Sequence, residues 1–238
     1  MRKVGQWLVL FGLLLVVASC AEEVKKEEAE VVVEDVLSST PFTHDFDYDT
    51  CLIISHKVDN YDVWKASYDL SEEIRLNHGI KTIKVYQGKV DKKYAMVLTS
   101  IENVSQAKGY VTSDMLENSM QIAGVEGDIE IQWMRQKLEY TENADDSILM
   151  YMSFSVIDYE RWEEAFLDDY GTGESKDFEV THVLQGVDDE GLVTMLFQVN
   201  DHDYVQKMES NNSFQMKMLA AGVVSYPTIY KLDEREIW

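Results

Sequence analysis

Apolar residues recur along this chain in two rhythms, and each rhythm occurs twice. CLIISHKV over 51–58 and ILMYMSFSV over 148–156 are apolar at most positions. Short apolar runs of this kind predict strands. After each run, aromatic residues fall at i, i+3 and i+7: Tyr61, Trp64 and Tyr68, then Tyr159, Trp162 and Phe166. That spacing lays one apolar stripe along a helix, with Asp59 and Asp158 as N-cap candidates. Strand pairs follow over 80–88 with 94–100 and 178–186 with 192–199, joined by turn-rich KVDKK and VDDEG. Both read as hairpins. Second helical stretches are predicted over 103–123 and 201–221, each stopped by a glycine, Gly124 or Gly222. Closing strands are expected over 129–138 and 228–232.

The duplication is a true internal repeat. A shift of 98 residues superposes Ser55 on Ser153, Tyr61 on Tyr159, Trp64 on Trp162, Gln87 on Gln185 and Gly88 on Gly186. It also superposes Asp91 on Asp189 and the triplet Ala123-Gly124-Val125 on Ala221-Gly222-Val223, with no gap between. The order β-α-β-β-α-β, read twice, is the ferredoxin-like split unit, whose right-handed crossovers put both helices on one sheet face. The other face cannot be wet, because YAMVL, ILMYMSF and LVTMLFQV are apolar on both alternating sides. Its natural cover is the sheet of the other repeat. The expected fold class is therefore α+β: two ferredoxin-like βαββαβ repeats packed sheet to sheet as a single-chain α/β barrel. The expected division is a signal peptide at 1–19, an acidic tether at 20–48, repeats at 49–138 and 148–238, and a linker at 139–147.

The aromatic Tyr-x-x-Trp helix after strand one and the Ala-Gly-Val that ends helix two resemble the dimeric α/β-barrel superfamily. That superfamily includes the antibiotic-biosynthesis monooxygenases and the stress-responsive barrel proteins. The resemblance covers about 50–138 and 148–233 and implies the barrel. It carries little about activity, since one fold hosts many functions.

The N-terminus changes the picture of where the protein works. Arg2 and Lys3 precede an apolar run from Trp7 to Val17, a secretory signal too short for a comfortable membrane span. Val17-Ala18-Ser19-Cys20 resembles the bacterial lipobox, in which the cysteine is acylated and becomes the first residue. The expected partner is thus the lipid membrane through acylated Cys20, since two or three acyl chains suffice for stable anchoring. Ala21, rather than Asp, favours the outer membrane of a bacterial envelope. The following AEEVKKEEAE is a charged spacer. With Cys20 acylated, Cys51 has no partner for an intramolecular disulfide. The chain holds 44 acidic and 21 basic residues, a net charge of −23, which excludes nucleic acid as a partner.

Candidate chemistry is sparse. Dinucleotide, phosphate-loop, nucleophile-elbow and zinc-protease motifs are absent, and no cofactor is expected. Asp45, Asp47 and Asp49 alternate as in a calcium loop, but Thr50 and His56 stand where glycine and glutamate belong, so no metal site is expected. His56 replaces the repeat mate Phe154 on an apolar strand face, and His182 replaces Lys84. Trp64 and Trp162 offer aromatic platforms as well as core packing. His56, Trp64, Trp162 and His182 are the candidate ligand-binding residues, and catalytic residues are not identifiable. The favoured reading is a non-catalytic module for a small apolar ligand or an envelope protein. The alternatives are a cofactor-independent monooxygenase-like enzyme and an envelope stress or scaffolding protein without ligand.

Overall fold

The computed structural model describes residues 42–43, 48–140, 147–171, 178–201 and 203–235. The expected signal peptide, the expected lipidation residue Cys20 and nearly all of the expected tether lie outside them. The first repeat comprises β2 (Thr50–Val58), α1 (Tyr61–Leu70), α2 (Glu72–Asn77), β3 (Ile80–Gly88), β4 (Tyr94–Ile101), α3 (Val104–Val111), α4 (Asp114–Ile122) and β5 (Val125–Tyr140). The second comprises β6 (Ile148–Ser155), α5 (Tyr159–Gly171), β7 (Phe178–Gly186), β8 (Leu192–Val199), α6 (Tyr204–Ser210), α7 (Asn212–Ala220) and β9 (Thr228–Arg235). A short β1 (Phe42–Thr43), from the end of the predicted tether, pairs with the far end of β5.

The strand order β5-β2-β4-β3-β9-β6-β8-β7 returns to β5, so eight antiparallel strands close a barrel. Each half keeps the ferredoxin-like order, and two seams join them. At one seam Gly88 faces Leu232, and at the other Gly186 faces Met134. Both pairs of mates are 98 residues apart, so the barrel has an internal pseudo-twofold axis.

Three apolar clusters follow from this closure. Two lie between a half-sheet and its own helices, around Trp64 and around Trp162. The third fills the barrel with side chains of both halves, including Ile53, Tyr86, Leu98 and Met134 from the first and Tyr151, Leu184, Leu196 and Leu232 from the second. The strands that are apolar on both sides are thus buried on both sides.

Polar residues shared by the repeats build the hairpins. Asp91 Oδ1 accepts from the Lys93 amide and Asp189 Oδ1 from the Gly191 amide, each at 3.1 Å. Gln87 Nε2 donates to the Lys92 carbonyl at 2.7 Å, and Gln185 Nε2 to the Glu190 carbonyl at 3.0 Å. Gly88 and Gly186 are required by close approach: a Cβ would lie 2.3 Å and 2.2 Å from the Asp91 and Asp189 carbonyl oxygens.

The structure differs from the sequence expectation in several places, of which the following bear on the architecture. The α1 N-cap is Asn60, whose side chain accepts from the Asp62 and Val63 amides, so the mate of Asp158 is Asn60 rather than Asp59. Each second helical stretch is broken in two, because Ser113 and Asn211 cap new helices at Leu116 and at Ser213 and Phe214. Serine and asparagine side chains compete for backbone amides in this way at helix starts. Finally, β5 runs on through Glu139 and Tyr140, beyond the predicted strand and into the predicted linker, because its second part serves the seam with β7.

Candidate functional site

The two helix-covered cores are not filled alike. In the first repeat a cavity of about 50 Å³ remains between sheet and helices. Ile54 and His56 of β2, Val97 and Thr99 of β4, Trp64, Ser67 and Tyr68 of α1, and Arg75 of α2 line it. Tyr110, Leu116, Ser119 and Met120 close it from α3 and α4. The gap arises from side-chain volume at matched positions. Where the first repeat has His56, Ile80, Thr99 and Leu116, the second has Phe154, Phe178, Phe197 and Phe214. Those rings pack the second core continuously, with Phe178 and Phe197 centroids 5.8 Å apart and edge-on. Interiors are normally packed to crystal density, and the first repeat departs from this at one polar spot.

His56 is 4% exposed, and neither ring nitrogen has a hydrogen-bond partner. Its ring meets Trp64 edge-on at 5.3 Å. Burial pushes its pKa down to about 4, because the charged form would lose its hydration. At neutral pH it is therefore an uncharged imidazole able to donate once and accept once.

Arg75 is 6% exposed. Its guanidinium lies over the Tyr68 ring, 3.5 Å from the centroid, and donates to the Tyr68 carbonyl. Tyr68 is itself fixed by a 2.8 Å hydrogen bond between its hydroxyl and that of Thr82. Arg75 Nε is buried without an acceptor. Buried polar atoms without partners are rare in native structures and call for an explanation.

The His56 environment has a consequence for acid stability. Below the ordinary value of 6.5, the unfolded chain takes up a proton at this imidazole that the folded chain refuses until about pH 4. Stability is thus whole above pH 6.5, falls as pH drops through the window to about 4, and then levels. The full loss from this group is about 3 kcal/mol. Urea unfolding at pH 7 and pH 4 is expected to show His56→Phe losing less stability than wild type by about that amount. An equal loss in both proteins would assign the slope to other groups.

The four candidates do not form one site. His56 and Trp64 meet at the cavity. Trp162 occupies the equivalent place in the filled core, 3% exposed and stacked on Phe166 at 5.3 Å. His182 lies on the other side of the sheet: its β7 neighbour Val183 belongs to the helix-side core, and its Nδ1 accepts from Gln136 Nε2 at 3.2 Å. Burial, aided by the charge of Lys84, also holds its pKa down near 4. Cys51 is buried in the barrel, where burial pushes its thiol up to about 12 and keeps it unreactive. Among the described residues no group of three His, Cys, Asp or Glu could hold a metal, and no helix is long and apolar enough to cross a membrane.

Arg75, Thr99 and Tyr110 were not singled out by the sequence. Thr99 opposite Phe197 carries the same signal as His56 opposite Phe154, a polar residue where the other repeat has a ring.

A closed barrel of two ferredoxin-like halves with helices on its outside is the dimeric α/β-barrel fold, here completed within one chain. Solved structures share it. An anthrone oxidase-like protein superposes with a TM-score of 0.54 at 12% identity, over 83% of this chain and 97% of that one. A candidate monooxygenase from Fusobacterium nucleatum subsp. nucleatum superposes with a TM-score of 0.51 at 11% identity, over 79% and 94%. At such identities the likeness is one of fold. No protein-family model and no curated protein matches the chain.

Proposed function

We propose that the protein is a lipid-anchored, non-catalytic binding module of the bacterial envelope, with the first-repeat cavity as its ligand site. One observation carries this reading. The repeat whose core could have been filled with phenylalanine is instead opened at His56 and Thr99, and polar atoms without partners are left beside the opening. A purely structural barrel gains nothing from that arrangement, since buried polar groups without partners cost stability. The second repeat serves as the packed support. Anchoring rests on the lipobox-like Val17-Ala18-Ser19-Cys20, with the acidic segment after it as the spacer.

The names of the fold neighbours prompt an oxygenase reading. A cavity that holds benzene measures about 150 Å³, and the space here is about 50 Å³. That difference favours binding of something smaller.

The test uses the protein purified gently from its own membranes, in wild-type form and as His56→Phe/Thr99→Phe, which copies the second repeat. After denaturation, mass spectrometry reads both the chain and what it releases. The expected result is a chain beginning at Cys20 with added acyl mass in both, and a stoichiometric small molecule from wild type only. Equal release from the two would overturn the binding site, and an unacylated chain would overturn the anchor.

A further inference from the structure

Resting on the cavity reading, the inference concerns what the cavity holds. Its one charged lining residue is Arg75, and no carboxylate lines it, in a chain with 44 acidic and 21 basic residues. A buried guanidinium in a protein so rich in acids would ordinarily be met by Asp or Glu, because a buried charge without a partner is costly. Here its only hydrogen bond among the described residues goes to the Tyr68 carbonyl, and the Tyr68 ring covers one face. Five guanidinium N–H groups need acceptors. A backbone carbonyl answers one, and an aromatic face answers charge without accepting along the N–H directions. Nε is left buried and unanswered. Uncharged His56, which lines the same cavity from β2, can donate one further hydrogen bond without competing for the role of cation.

We propose that the cavity selects a small monoanion, a carboxylate or an oxyanion of similar size, with the Arg75 guanidinium as its counter-ion and His56 as a second donor. Size sets the rest. About 50 Å³ admits roughly four water-sized groups, which suits formate, acetate or nitrate. The ligand supplies the acceptor that Arg75 Nε lacks, and Trp64 and Val97 line the cavity beside whatever apolar end it carries.

The test is a titration of the detergent-solubilised mature chain at constant ionic strength, following the His56 imidazole resonances. Acetate, formate and nitrate are compared with acetamide, the neutral isostere of acetate. At least one anion is expected to shift the resonances saturably while acetamide does not. Saturation by acetate and formate alone would assign a carboxylate, and saturation by nitrate an oxyanion. Arg75→Gln is expected to weaken the anion roughly tenfold or more, the usual scale for a hydrogen bond to a charged group. Arg75→Lys, which keeps the charge but loses the fork, is expected to fall between, and it serves if the glutamine variant does not fold. Equal response to acetate and acetamide, unchanged affinity in both Arg75 variants, or no response to any anion would each overturn the proposal. None of these touches the cavity reading, which stands or falls on what the purified protein releases: a neutral molecule released only by wild type would keep the site and discard the anion.

Discussion

Expressed separately, residues 20–140 and 147–238 are each expected to fail as folded monomers. The first half alone would turn Cys51, Ile53, Tyr86, Met96, Leu98 and Met134 toward water, and the second Tyr151, Leu184, Leu196 and Leu232. A fully buried side chain of this size contributes roughly 1.5–3 kcal/mol. Several together match the whole stability of an ordinary domain, about 5–15 kcal/mol. Each half would also present two unpaired sheet edges, β3 and β5 in one, β7 and β9 in the other, and bare edges invite association. Sedimentation and thermal circular dichroism should find unfolded chains or dimers and larger species, with a sharp transition restored on mixing the two halves. A monomeric half with its own cooperative transition would disprove the barrel as one cooperative unit.

The second large effect is expected at Trp162. The ring is fully enclosed by Tyr159, Phe166 and Phe154, at 5.7, 5.3 and 5.6 Å between centroids. Trp162→Ala should therefore cost about 3–5 kcal/mol, the range for emptying a large buried site. In a chain of this length that lowers Tm by about 10 °C or more. Trp64 makes the equivalent contacts in the first repeat, but one side of it already borders the cavity. Fewer packing contacts are lost there and Trp64→Ala should cost about 1 kcal/mol less. Urea unfolding of the pair decides the matter: if Trp64→Ala is the more damaging, the two cores do not differ in the way described.

Much of the fold was legible because packing repeats itself. Two tryptophans at one offset, preceded by strands apolar on both faces, specify two sandwiched units and a shared interior. The broken second helices were not legible, although Ser113 and Asn211 are mates, because several residues there could cap and residue identity alone does not say which side chain reaches a backbone amide. The seams were hidden for a similar reason, since Met134 and Leu232 play one role with different side chains. The candidate site was half legible. His56 announces itself against Phe154, but the opening also depends on Ile80, Thr99 and Leu116, which come from three elements far apart in sequence. Arg75 follows the apolar stripe of α1, where an arginine ordinarily faces solvent. Only the fold of α2 back over Tyr68 buries it.

Covalent joining of the two halves changes what dilution can do. A barrel assembled from separate subunits dissociates as its concentration falls. Here the strand that completes one seam and the strand that begins the second half belong to one polypeptide, β5 and β6, so assembly is unimolecular. The partner half is present at the high effective concentration set by a short connection. The barrel therefore holds together however sparsely the molecules are scattered, and one half is free to change its interior while the other keeps the original packing.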